Sequence, residues 1–141
     1  MPQKELIIDT GFLLLCGQKM TNFIKALSLR EIVNDRKWIT TWPVITEVCH
    51  LLAKRNAPYL IPNIFKIYEN GGYEIFGISQ YHVSKLLKIL EKYKSLPIDF
   101  ADGSLVLLAE EIGHGDIVST DTRDFMTYRW KNHKPFNNLF K

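Results

Sequence analysis

Short runs of branched apolar residues, each ending in a polar turn that opens a helical stretch, recur along this chain, and that alternation restricts its fold more than any other feature. Leu6-Ile7-Ile8 reads as a fully buried parallel strand that stops at the strand-to-helix turn Asp9-Thr10-Gly11. Helical spacing follows from Asn22 to Val33, with Phe23, Ala26 and Leu27 on one side. Trp38-Ile39-Thr40-Thr41 is a second strand, and Pro43 suits the first position of a helix running to about Arg55. Pro58 and Pro62 bracket the start of a helix that ends near Gly71-Gly72, and Tyr73-Glu74-Ile75-Phe76 is strand-like. Ser79 to about Tyr93 is an amphipathic helix with Val83, Leu86, Leu87 and Leu90 on one face. Pro97 precedes a helix from Asp99 to Ile112, which Gly113-His114-Gly115 stops. Asp116 to Thr120 is a strand, Asp121 opens a short helical segment, and Phe136 to Phe140 forms a last edge strand. Alternating strands and helices imply an α/β fold, a three-layer α/β/α sandwich with a mainly parallel central sheet. In such sheets the ligand crevice lies at the carboxyl ends of the strands.

The chain's 141 residues make a single domain, 1–141, with 46% apolar and 23% charged content, a globular balance. No apolar run reaches the length of a membrane helix, and the opening Met1-Pro2-Gln3-Lys4-Glu5 has no signal-peptide h-region. Cys16 and Cys49 form no CxxC pattern. These features lead us to expect a cytoplasmic protein with no membrane partner.

Acids mark several of the strand-to-helix junctions. Asp9 follows the first strand, Glu47 lies in the early turns of the helix after the second, Asp99 and Asp102 open the helix after Pro97, and Asp121 follows the Ile117–Thr120 run. A parallel sheet gathers all these junctions at one edge. Taken singly, Asp9, Asp99 and Asp121 are also ordinary helix caps. Glu47 is less easily explained, because it borders the apolar stripe of Val44, Ile45, Val48, Leu51 and Leu52. Asp102 opens a helix that is apolar almost all round (Leu105, Val106, Leu107, Leu108, Ala109), where an ionised carboxylate costs several kcal/mol unless it is paired or metal-bound. Carboxylates gathered together repel one another, and a hard, oxygen-preferring ion, Mg²⁺ or Mn²⁺, suits such a donor set better than zinc. The four histidines, His50, His82, His114 and His133, have no ligand spacing. There is no GxxxxGK[ST] and no GxGxxG after the first strand. Gly11 stands where aspartyl-phosphate phosphatases carry their second Asp.

Net charge is only +3, but the basic residues cluster toward the end. From Arg123 to Lys141 there are five Lys or Arg (Arg123, Arg129, Lys131, Lys134, Lys141) against one acid, interleaved with Tyr128, Trp130, Phe136 and Phe140. Cations neutralise phosphates and aromatic faces stack bases, so Arg123, Arg129 and Lys131 are candidate RNA contacts, with Tyr128 and Trp130 as stacking faces. The alternative is a solvated tail whose aromatics pack on the core.

The stretches Leu6-Ile7-Ile8-Asp9-Thr10-Gly11, Thr46-Glu47-Val48, Ile98-Asp99-Phe100-Ala101-Asp102-Gly103-Ser104-Leu105 and Ser119-Thr120-Asp121-Thr122-Arg123-Asp124-Phe125 together resemble a PIN domain, the nuclease fold of VapC-type toxins. The closing Tyr128-Arg129-Trp130 and Lys134-Pro135-Phe136 also resemble the end of many such domains, so the likeness spans the chain. It implies an α/β/α sandwich and a metal-dependent endoribonuclease that hydrolyses RNA phosphodiesters. Asp9, Glu47, Asp102 and Asp121 match the four acids that bind Mg²⁺ or Mn²⁺, Asp99 an additional acid, and Thr10 and Thr120 flanking hydroxyl positions. The resemblance further implies the toxin of a type II toxin–antitoxin pair, a homodimer, and a small antitoxin blocking the cleft. Two alternatives accompany it, an RNA-processing nuclease without an antitoxin and a catalytically idle scaffold that binds RNA or protein. The chain departs from the family pattern in having Gly103 where Ala is frequent, and in the apolar run Phe12-Leu13-Leu14-Leu15-Cys16 after the first acid. That run, with Phe23 and Leu27, has more apolar surface than one helix face buries and is a candidate dimer or antitoxin interface, the alternative being a fully buried helix.

Overall fold

A computed structural model of the chain describes residues 5–18, 36–96, 98–120, 122–131 and 133–139, with 122–124 described in backbone only. The helix expected from Asn22 to Val33 lies outside these residues, as does Asp121.

Five strands build one parallel sheet: β1 (Leu6–Ile8), β2 (Trp38–Thr41), β3 (Glu74–Phe76), β4 (Asp116–Val118) and β7 (Asn137–Asn138), in the order β3-β2-β1-β4-β7. Strands β5 (Arg129–Trp130) and β6 (Lys134–Pro135) form a separate antiparallel pair. Helices α1 (Thr10–Gln18), α2 (Trp42–Lys54), α3 (Ile61–Glu69), α4 (Val83–Lys92), α5 (Phe100–Ile112) and α6 (Thr122–Thr127) complete the described elements, with single 3₁₀ turns at Pro58–Leu60 and Gln80–His82. Helices flank the sheet, giving the three-layer α/β/α sandwich that the alternating pattern implies. No helix among the described residues is long and apolar enough to cross a membrane.

The central strand β1 is wholly buried, as a parallel strand covered on both faces must be. Its neighbours are β2 on one side (Leu6 opposite Trp38) and β4 on the other (Ile7 opposite Ile117). The chain order therefore reverses between β1 and β4. At such a switch point the connections leave in opposite directions and open a crevice beyond the strand ends.

Helix α5 packs against α4, α2 and β2 and is buried along Gly103–Ala109. Its one buried hydroxyl is satisfied: Ser104 donates to the Ala101 carbonyl (2.6 Å), so Thr41 at the end of β2 must be the donor in the 2.6 Å Thr41–Ser104 contact. Gly103 faces α4 so closely that a Cβ there would lie 2.8 Å from Leu90 Cδ2.

Packing decides one expectation and corrects two. The described part of the run after Asp9 follows the buried alternative: Phe12, Leu13, Leu14 and Cys16 are buried in α1 and Leu15 packs on the core, because α2 and α3 cover α1, while Phe23 and Leu27 lie outside the described residues. The amphipathic helix begins as a 3₁₀ turn capped by Ser79, and it buries Leu86 and Ile89 while Val83 and Leu87 are exposed. Tyr128 (1% exposed) and Trp130 (8%) are core residues, not stacking faces. Tyr128 packs edge-on against Tyr93 and Phe125, and the Trp130 indole donates to the Pro135 carbonyl (3.1 Å).

Candidate functional site

Asp9 ends β1 and starts α1. Its Oδ1 accepts the Phe12 backbone N–H (2.9 Å), a helix cap, while its Oδ2 accepts the Ser119 hydroxyl from the end of β4. At 4% exposure this carboxylate is pinned from two elements into one orientation. Ser119 is itself anchored by the last strand, its N–H donating to Asn138 Oδ1 (3.1 Å) and its carbonyl accepting from Asn138 Nδ2 (3.0 Å). The close approach of β1 and β4 continues one residue on: a Cβ built at Gly11 would overlap the Thr120 hydroxyl. Glycine here, in the first turn of α1, leaves room for the Thr120 side chain.

Glu47, in the second turn of α2, is half-buried beside the same crevice. Burial pushes its carboxyl up from the ordinary 4.5 to about 7, and a hydrogen bond with Asp99 and the charges of Asp99 and Asp9 push the same way, against a bond from the Thr10 hydroxyl that favours ionisation. Thus Thr10, Asp99 and, through its charge, Asp9 act on Glu47, although they come from elements distant in sequence. Asp99 also caps α5, its Oδ1 accepting the Asp102 N–H (2.8 Å). The capping and clustering roles of Asp9 and Asp99 coexist.

Asp102, in the first turn of α5, is half-buried, and its Oδ2 accepts the Tyr128 hydroxyl (3.2 Å). Asp121 and the side chain of Arg123 lie outside the described residues. Among the described residues no group of three His, Cys, Asp or Glu side chains is placed to hold a metal ion. Besides burial, the groups acting on Glu47 are a hydroxyl and two carboxylates, oxygen donors of the kind a hard cation prefers. Asp116, at the amino end of β4, has the opposite environment. Burial alone would raise its pKa, but bonds from Arg36 (2.9 Å) and Asn137 (3.3 Å) outweigh burial and hold it below the usual carboxylate range. Acids at the two ends of the strands are thus handled differently: Asp116 is paired with a cation, whereas Asp9, Asp99 and Asp102 accept neutral hydroxyl and backbone donors.

The chain matches no protein-family model and no curated protein sequence.

Residues that sequence reasoning missed fall into two kinds. Ser119, Asn138 and Tyr128 hold the acids in place, and nothing in a linear sequence pairs Ser119 with Asp9 or Tyr128 with Asp102. Asp99 was legible as an extra acid, but its position as the hydrogen-bonded partner of Glu47 required the packing of α5 on α2. The expected cationic surface is only partly available. Arg129 directs its guanidinium to the carbonyls of Met126 (2.7 Å) and Tyr128 (2.9 Å), so it serves the end of α6, whereas Lys131 sits exposed in the β5–β6 turn.

Proposed function

We propose that this chain is a PIN-like endoribonuclease that hydrolyses RNA phosphodiesters with Mg²⁺ or Mn²⁺. The observation that carries the reading is a half-buried Glu47 carboxyl at the switch point of a parallel sheet, pushed up to about 7 first by burial and then by the neighbouring Asp99 and the charge of Asp9. Repelling carboxylates destabilise a fold, and an arrangement that keeps them together at a crevice favours use over structure. The PIN-like order of motifs adds the rest of the set: Asp9, Glu47, Asp102 and Asp121 would hold the ion.

A cation in such a site supplies a more acidic bound water and neutralises charge on a phosphoryl group. The protein's own contributions are more specific. Ser119 and the Phe12 N–H fix the Asp9 carboxylate in advance, so no ordering cost remains when a ligand arrives. Tyr128 does the same for Asp102. Glu47 must release its proton before it can ligate, so metal affinity rises as pH passes through about 7. The biological setting that accompanies the PIN resemblance is a cytoplasmic toxin, homodimeric and held in check by a small antitoxin.

The test is incubation of the purified chain with single-stranded RNA and, separately, DNA in the presence of Mg²⁺, Mn²⁺ or EDTA, beside Asp9→Asn. Metal-dependent RNA cleavage that EDTA and the substitution both abolish is expected. Calorimetry showing Mn²⁺ binding without cleavage of either polymer leaves the idle-scaffold alternative. No Mn²⁺ binding at all refutes the site.

A further inference from the structure

Beside the acids, on the β2–β3 side, lies a cavity of about 670 Å³, within the range of pockets that hold small planar ligands. Glu47 and Asp99 form part of its lining, so it opens directly off the candidate site. Three aromatic residues line it from separate elements: Trp42 is the first residue of α2, Phe100 the first of α5, and Phe76 the last of β3. Trp42 and Phe100 are unusually open for residues of their kind, at 47% and 52% exposure, whereas Trp130 and Tyr128 are buried. Trp42 is also held in place, its indole meeting the Tyr68 ring edge-on at 6.1 Å. Phe76 and Ile78 complete the apolar lining, and Thr46 and His50 add polar groups.

The charges of this lining restrict what it can take. Its residues include two carboxylates and neither Lys nor Arg, so a phosphate is repelled. A flat, neutral group that stacks on aromatic rings and offers N–H donors to acceptor oxygens is complementary. The Thr46 hydroxyl donates to the Trp42 carbonyl (3.1 Å), which leaves its oxygen as a further acceptor. Adenine, cytosine and guanine each carry an exocyclic amino donor, whereas uracil presents carbonyl acceptors in the corresponding places.

We infer that this cavity is a nucleobase subsite, in which an amino-bearing base of the RNA stacks on Trp42 and Phe100 with its donor edge toward Glu47 and Asp99. The inference rests on the ribonuclease reading for its substrate, but its test is separable. The base is held beside the acids while the backbone passes over them, so the subsite sets which nucleotide neighbours the cleaved bond. The lysine in the β5–β6 turn is then needed only for charge, not for stacking.

The probes are adenosine, guanosine, cytidine and uridine, titrated in EDTA against the full chain and followed by tryptophan fluorescence and calorimetry. Trp42 is the exposed indole, so it should report binding. We expect saturable quenching by the three amino-bearing nucleosides, weaker binding of uridine and none of inorganic phosphate. Stacking on an aromatic side chain is lost on truncation, so Phe100→Ala and Trp42→Ala should each weaken nucleoside binding roughly ten-fold. Trp42→Phe should retain most of it, and Mn²⁺ affinity should be unchanged in all three. In RNA cleavage the two alanine variants should raise KM more than they lower kcat. Cleavage of RNA by a wild-type chain that binds no nucleoside overturns the subsite and leaves the nuclease reading standing. Nucleoside binding by a chain that cleaves nothing with any metal supports the subsite and removes the nuclease reading. Binding of uridine as tight as adenosine, or of an apolar peptide in place of nucleosides, overturns the proposed complementarity.

Discussion

Glu47→Gln isolates the electrostatic cost of the candidate site, because glutamine keeps the shape of the side chain while removing its charge. In the unfolded chain the Glu47 carboxyl titrates near the ordinary 4.5, and in the folded chain near about 7. Between those values the folded protein holds a proton that the unfolded one has released. Stability therefore falls as pH rises through this window and levels off above it. Below the unfolded value both states are protonated and no cost remains. At 1.36 kcal/mol per pH unit the interval bounds the cost at about 3 kcal/mol. Glu47 is only half-buried, and solvent screening reduces the figure to ~1–2 kcal/mol. The variant should thus melt with the wild type at about pH 4 and roughly 3 to 8 °C above it at about pH 8, for a chain of this size. Thermal unfolding in EDTA across that range, followed by circular dichroism, measures the gap directly. Adding Mn²⁺ at the higher pH should stabilise the wild type and narrow the gap, since a ligand of the folded state alone adds stability. A gap independent of pH, or a variant less stable than the wild type at about pH 8, would show that neither burial nor the neighbouring acids disfavour the Glu47 charge and remove the argument for a cation there.

Asp102→Asn should abolish RNA cleavage while leaving the metal-free melting temperature unchanged or raised, because asparagine still accepts the Tyr128 hydroxyl; a fall of several degrees would mark Asp102 as structural. Gly11→Ala should cost ~1–3 kcal/mol through overlap with Thr120, and adding Thr120→Ala should recover most of that loss in a double-mutant cycle read by urea unfolding. Additive losses would place the strain elsewhere. Arg129→Ala should lower stability by about 1 kcal/mol, since its guanidinium bonds to two backbone carbonyls, with little change in RNA affinity. Lys131→Ala should instead flatten the salt dependence of RNA binding by about one unit without affecting stability. The reverse assignment of effects would restore Arg129 as a phosphate contact.

The sequence by itself determined the layers of this protein and the place of Asp9 at the end of its central strand. Residues 6–8 are continuously apolar and can only be a strand covered on both faces, and Pro43, the Asp99 cap and Gly113 punctuate helices at positions the structure reproduces to within a residue or two. These are local effects of backbone geometry and capping, and local effects are written in adjacent residues. Asp9 was legible for the same reason, since the end of a parallel strand is a fixed place in the sheet, whereas Asp99 and Asp102 open a helix that follows another helix with no described strand between them. What surrounds each acid was not legible. Ser119 reaches Asp9 across 110 positions, and Asp99 reaches Glu47 only because α5 lies against α2. The aromatic tail shows the same limit from the other side. Tyr128 and Trp130 have a composition suited to stacking bases, and packing on the core took that surface away, while Trp42 and Phe100, unremarked in the sequence, were left open beside the acids. Burial is a property of what a segment docks against, and for an isolated aromatic residue the chain carries no periodic signal that says which side of the boundary it will occupy.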